Sequence, residues 1–302
     1  MLPSLKQLKY LVAVAETRHF GKAARACHVT QSTLSAGIQE LESQLGAVVF
    51  ERTRKQVLIT PLGEKLLSQA RVVLGNAEDF VAIAHSEADV LSGEIRLGVI
   101  PTIGPFLLPQ LLSALRDQYK NLKLYLKEGL TSELVTKLQQ GELDVTILAF
   151  PYSLPEMHVE MLFADEFVLL LPPHHPLEKK TNIQQRHLRG ERLLLLEEGH
   201  CLREHALEAC KLESGNLDLV YQGTSLHTLV QMVANGLGIT LLPGIAIQAN
   251  ILRDTNLQLR HFREEEVSRH IGLAWRKSDP RQRDYHVLAG FIRDFIGNSR
   301  SA

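Results

Sequence analysis

The chain has 302 residues, 45% of them hydrophobic and 22% charged, with a formal net charge of −1. This length suggests about two domains, and the composition excludes a disordered, collagenous or fibrous chain. No apolar run approaches the roughly 20 residues of a membrane span, and the opening MLPSLKQLKYLVAVAE lacks a signal peptide's unbroken apolar core, so a cytoplasmic protein is expected. The charge is uneven: eight Lys and Arg face four acids within residues 1–60, leaving an acidic body behind a basic head. Such a head points to nucleic acid.

Residues 4–17 place Leu5, Leu8, Leu11, Val12 and Ala15 at helical spacing, and Phe20 to Cys27 is a second short helical piece with the core AARA. After a break at Cys27-His28-Val29, Thr30 can cap a third helix carrying Leu34, Ile38, Leu41 and Leu45, which Gly46 ends. Two β-favouring runs, Val48–Glu51 and Val57–Ile59, flank a charged turn and predict a small wing. Thr60-Pro61 then starts a long helix to about Asp89, of the kind that dimerises as a linker.

Beyond Ser92-Gly93 strand-like and helical stretches alternate. Strands are expected at Glu94–Ile100, Lys123–Glu128, Val145–Ala149, Phe167–Leu171, Leu193–Leu196, Leu217–Tyr221, Gly238–Leu242 and His270–Trp275. Helices are expected at Phe106–Gln118, Thr131–Gln140, Leu202–Lys211, Leu226–Asn235, Pro243–Arg253 and Arg281–Phe295. This is an α/β pattern, for which a mainly parallel sheet is expected.

Two helices, a tight break and a third helix with a polar start describe a helix-turn-helix. Gln31, Ser32, Thr33, Ser35 and Gln39 would face base edges and phosphates, and Arg52, Arg54 and Lys55 in the wing would neutralise phosphates. Cys27 beside AARA reads as a core residue.

In the body, Thr102 and Thr131 each stand where a strand gives way to a helix, the place where α/β folds bind ligands; each also fits a simple helix cap. Gly199-His200-Cys201-Leu202-Arg203 follows an apolar run and precedes a helix reaching Cys210. Helix amides and nearby cations there would favour a thiolate, the form peroxide oxidises. Nine residues of helix would hold the two alpha carbons roughly 13 Å apart, so a disulfide needs the helix to unravel. The residues alone leave a redox pair and two unrelated cysteines both open. His205 would lower the thiol pKa or join Cys201 and His200 around a metal, but three ligands fall short of a tetrahedral set, so neither metal nor cofactor is expected. His174-His175-Pro176 reads as a solvated turn. G-x-S-x-G, Walker and G-x-G-x-x-G patterns are missing, and no enzyme is expected.

The stretch HFGKAARACHVTQSTLSAGIQELESQLGAVVFERTRKQVLITPLG resembles the DNA-binding domain of LysR-type transcriptional regulators, with Ser32 where that family often has proline. GHCLR with a cysteine nine residues after the first, GVIPTIGPFLLPQLL and TSLHTLVQMVANGLGITLLP resemble the peroxide-sensing OxyR branch of that family. The resemblance implies a winged helix-turn-helix (1–60), a linker helix (61–91) and a periplasmic-binding-protein-like α/β effector domain (92–302). Lobe I would take 92–165 and 268–302, and lobe II 166–267.

It also implies Cys201 as the peroxidatic thiol, Cys210 as the resolving one, Thr102 and His200 beside the peroxide, and Arg269 supporting the thiolate. Arg203 would set the loop and Asp144 would be an acid near the site, while KLESGNLDLVYQG does not align clearly. The implied partners are promoter DNA, hydrogen peroxide, further copies in a homodimer or homotetramer, RNA polymerase, and a reductant such as glutaredoxin or thioredoxin; no membrane is involved. The rival expectation is a LysR regulator that binds a small organic anion between its lobes, with incidental cysteines.

Overall fold

The computed structural model describes residues 2–52, 57–85, 90–180, 183–209, 222–263 and 267–301. Arg54, Lys55, Cys210 and the strand expected at Leu217–Tyr221 lie outside these residues, as does the side chain of Arg52. The chain forms two compact units, Met1–Ala88 with Gln139–Glu142, and Asp89–Leu138 with Leu143–Ala302.

In the first unit, α1 (Leu5–Thr17), α2 (Phe20–Ala26) and α3 (Gln31–Leu45) precede a two-stranded wing and α4 (Pro61–His85). Local chemistry sets the ends. Ser4 Oγ accepts from the Gln7 amide at 3.2 Å while Gln7 Oε1 accepts from the Ser4 amide at 2.8 Å, a reciprocal cap. Thr30 Oγ1 accepts from Thr33 N, and Gly46 ends α3 with φ +63°. Leu34, Ile38 and Leu41 turn one face of α3 into the core, against Tyr10, Leu11 and Val14 of α1. A Cβ at Gly37 would come within 2.8 Å of the Tyr10 ring, so only glycine lets the two helices close there. Glu42 Oε1 accepts from the amides of Val49 and Phe50 and fixes where the wing leaves the helix. The wing pairs β1 (Phe50–Arg52) with β2 (Val57–Ile59) antiparallel.

The second unit holds a seven-stranded sheet, in which β9 also pairs with β6, and a small two-stranded one. β3 (Gly93–Val99) runs parallel to both β4 (Leu122–Glu128) and β5 (Val145–Phe150). The other pairings in the large sheet are antiparallel, which corrects the expected mainly parallel sheet. The reason is two long strands that bridge its halves, β6 (Met157–Leu171) and β11 (Ser268–Arg276). They run against each other along their shared length, and the C-terminal half of β6 goes on to pair with β9 (Thr240–Pro243) and β10 (Gln258–His261).

Helix α5 (Gly104–Gln118) follows β3, α6 (Thr131–Gln139) packs Leu134 against Gly98 of β3, α10 (Gln282–Ser301) packs on β6 and β11, and α8 (Leu226–Ala234) and α9 (Gly244–Gln248) pack on β6 and β9. The small sheet joins β7 (Leu195–Leu196) to β8 (Gln222–Gly223), and α7 (Cys201–Ala209) follows β7. Helix α9 is much shorter than the expected Pro243–Arg253. Among the described residues no helix is long and apolar enough to cross a membrane.

Ile38 is fully buried where α3 meets α1. Ile38→Ala is expected to destabilise the first unit by about 2–5 kcal/mol. Urea unfolding checks this, and a loss under about 1 kcal/mol would mean that α3 is not anchored through this face.

Candidate functional site

The first unit presents the polar start of α3. Gln31, Ser32, Thr33 and Gln39 are exposed and Ser35 is half-buried, opposite the buried Leu34–Ile38–Leu41 face. The Thr30 hydroxyl joins those of Ser32 (2.9 Å) and Thr33 (2.8 Å), so the first turn is ordered before anything docks on it. This is the helix that a helix-turn-helix places in a major groove.

In the second unit, three segments converge on Cys201. Ile100, Pro101 and Thr102 follow β3, Leu130 and Thr131 follow β4, and Gly199 and His200 lead from β7 into α7. Together with Cys201 they line a cleft of about 170 Å³, too narrow as it stands for a water-sized sphere. Gly199 makes the turn at φ +94°, and a Cβ there would meet Leu130 Cδ1 at 3.1 Å. Cys201 is the first residue of α7 and carries a free thiol.

Beneath the thiol lies a buried polar cluster. Arg269 at the start of β11 sits in register with Asp165 on β6. Its Nε and Nη2 donate to Asp165 Oδ2 at 3.0 and 2.9 Å, its Nη1 donates to Thr102 Oγ1 at 2.8 Å, and Nη2 also donates to the Thr102 carbonyl at 3.1 Å. Asp165 Oδ1 accepts from the Ile245 amide at the start of α9. Both charged side chains are essentially without solvent contact. Each is therefore held by several directed bonds, the condition under which a buried ion pair is tolerated.

The thiol does not behave as its place at a helix start suggests. Burial pushes its pKa above the ordinary thiol value, and Thr131 and the Arg269 charge pull it only part of the way back. The expected thiolate is thus a protonated thiol at rest. Thr131 Oγ1 is buried without a well-formed hydrogen bond, so its influence on the sulfur comes from proximity rather than a settled bond, and it caps nothing. Burial lowers the pKa of His200 and of His205, keeping both imidazoles neutral at neutral pH. His205 Nε2 pairs with the Pro151 carbonyl at 3.1 Å, and its Nδ1 is buried without a partner. The buried Arg203 donates from Nη1 to the Leu196 carbonyl at 3.3 Å, tying α7 to β7.

Two family models match the chain: "Bacterial regulatory helix-turn-helix protein, lysR family" over residues 5–64, and "LysR substrate binding domain" over 88–296. The chain belongs to the LysR family. It is 41% identical to the HTH-type transcriptional regulator EstR of Acinetobacter baylyi, over 97% of each chain. It is 39% identical to a hydrogen peroxide-inducible genes activator of Dickeya chrysanthemi, over 97% of this chain and 96% of that one. A full-length OxyR Cys→Asp variant from Pseudomonas aeruginosa superposes with a TM-score of 0.81 at 36% identity, covering 97% of this chain and 95% of that one. The winged helix-turn-helix and the periplasmic-binding-protein-like effector fold are therefore those of a LysR-type regulator.

Within this LysR chain the cleft brings together Thr102, Thr131, His200 and Cys201, with Arg269 behind them. Asp144 is not part of it. It stands just before β5, away from that strand's carboxyl end, where its carboxylate accepts from the Arg96 amide (2.7 Å) and guanidinium (2.6 Å). Position along a strand decides which end of the sheet a side chain serves, and Asp144 serves the other end. Asp165 was missed because nothing in the local sequence marks it; only its cross-strand register with Arg269, 104 residues on, reveals it. Among the described residues one group of three metal-ligand side chains assembles, His158, Glu160 and His286, also unforeseen in the sequence.

Arg269→Met leaves Asp165 buried without its cation, and a loss of about 3–5 kcal/mol is expected, partly restored by Asp165→Asn in the same chain. Urea unfolding of the two variants checks it; a loss under about 1 kcal/mol would remove the pair from the account of the fold. The raised thiol pKa predicts that alkylation of Cys201 goes on accelerating as pH rises past the ordinary thiol value, because only the thiolate reacts. A rate that levels off by about pH 7 would mean that the cation outweighs burial.

Proposed function

We propose that this LysR-type regulator senses hydrogen peroxide through a reversible Cys201–Cys210 thiol/disulfide switch and controls peroxide-defence genes. The observation that carries the reading is the buried Arg269, fixed by Asp165 and Thr102 at a thiol with an unengaged hydroxyl beside it. Structural cysteines in a core lack such a setting. The similarity to a peroxide-inducible activator and to OxyR supports the same reading.

The chemistry follows from these groups. Peroxide enters when the cleft widens, and the hydroxyls of Thr102 and Thr131 with neutral His200 orient it. The sulfur attacks one oxygen, the S–O bond forms and the O–O bond breaks. The departing hydroxide takes the thiol proton and leaves as water, giving Cys201 sulfenic acid. Arg269 stabilises the negative charge on sulfur during attack. The Cys210 thiol then displaces the sulfenic hydroxyl, which leaves as a second water, and a disulfide remains. A dithiol reductant of the thioredoxin or glutaredoxin class reverses the step.

The length of α7 makes this a switch. Cys201 to Ala209 spans eight helical steps, about 12 Å, and one more residue reaches back at most about 3.8 Å. A disulfide tolerates no more than about 7 Å, so bridging requires α7 to unwind. Rearrangement at α7 and the adjoining bridge strands would then reorient the copies of a dimer or tetramer on promoter DNA, which Gln31, Ser32, Thr33, Ser35 and Gln39 read with Arg52, Arg54 and Lys55 on the phosphates. Contact with RNA polymerase completes the output.

Mass spectrometry after one equivalent of hydrogen peroxide tests the reading on wild type and Cys210→Ser. A Cys201–Cys210 disulfide is expected in the first, and Cys201 sulfenic acid, trapped by dimedone, in the second. If both thiols stay open to alkylation, the redox reading falls and a small organic anion becomes the ligand to seek in the cleft.

A further inference from the structure

At the far end of the bridge strands lies a second assembly of side chains. His158 and Glu160 are two residues apart on β6 and so share one face of the sheet. His286 comes from α10, which packs on that face. One ligand atom from each residue lies within 4.8 Å of the other two. His286 Nδ1 is 2.6 Å from Glu160 Oε2, while Arg293, two helical turns further along α10, holds Glu160 Oε1 at 2.6 Å. Glu160 thus has one oxygen fixed by a cation and the other turned toward the two imidazoles. Buried Trp275 pins both rings, with centroids 4.5 Å from His158 and 5.1 Å from His286, the latter ring perpendicular to it.

We propose that His158, Glu160 and His286 form a binding site for a divalent transition-metal ion of the Zn²⁺ class. Two imidazoles and one monodentate carboxylate are a borderline-soft donor set, and three protein ligands leave a fourth position for water. The Arg293 and Trp275 contacts supply the outer support that orients such ligands. Bonds of about 2.0–2.1 Å at tetrahedral angles separate ligand atoms by about 3.3 Å. The His286–Glu160 contact therefore opens slightly when an ion replaces its shared proton, a small movement for a half-exposed side chain. The site is separate from the thiol: Trp275 is six residues from Arg269 along β11, roughly 20 Å away. A bound ion would clip α10 to the start of β6.

Trp275 is the sole tryptophan of the chain, so its emission reports locally. Full-length protein with alkylated thiols, which keeps sulfur from competing, is titrated with Zn²⁺ by calorimetry and with Cu²⁺ by fluorescence quenching. One ion per chain is expected, with quenching of Trp275, and affinity about tenfold or more weaker in His286→Asn and in His158→Asn. Equal thermal midpoints of the metal-free variants and wild type would show that the fold is retained. For a variant with a lowered midpoint, Glu160→Gln gives the same comparison. Unchanged Zn²⁺ binding in the folded variants would place the ion elsewhere, and absence of binding at about 100 μM would reduce the cluster to an ion pair; either result overturns the proposal.

Discussion

The second unit turns on one cross-strand pair. Asp165 and Arg269 sit opposite each other on the two strands that bridge the halves of the sheet, buried and without solvent. Two ions in such a place need every bond they can make. Arg269 finds its partners in Asp165 and Thr102, and Asp165 adds the amide that opens α9. These bonds join the loop after β3, both crossing strands and α9 at one point. A thiol beside that point feels a fixed cation.

The same burial that protects the site restrains its chemistry. It raises the Cys201 pKa and leaves the cleft too narrow for free solvent. For the proposed sensor this means a resting thiol that reacts slowly until the cleft opens. In the proposed reaction the cleft opens to peroxide, with Arg269 and the two threonine hydroxyls already in place. This division between a quiet ground state and a preorganised reacting state suits a sensor, which must be silent without its signal.

Much of this was legible in the sequence. Helical periodicity and caps such as Thr30 and Gly46 mark the three helices of the head because local chemistry decides them. The β3–α5 and β4–α6 junctions were legible from the change of hydrophobic period alone, since α5 has no side-chain cap and Thr131 caps nothing. The parallel sheet was misjudged because strand direction depends on a crossing that no local pattern records. The first half of β6 was missed because charged and histidine residues interrupt it where the strand passes from one half to the other. Asp165 and the His158–Glu160–His286 group were hidden because their partners lie over a hundred residues away. Asp144 was misplaced because its type fits an active site while its strand position does not.

Cys27 is an internal control for the proposed effect of the Arg269 cluster on the peroxide reactivity of Cys201. Cys27 in the first unit is also partly buried, its pKa also raised by burial, with only Lys9 pulling it down and no buried cation beside it. The second-order rate constants of both thiols with hydrogen peroxide can be measured in one sample by quenched-flow alkylation and peptide mass spectrometry. Cys201 is expected to react at least about a hundredfold faster than Cys27. Equal rates would contradict it and leave the buried cluster a structural feature of the bridge.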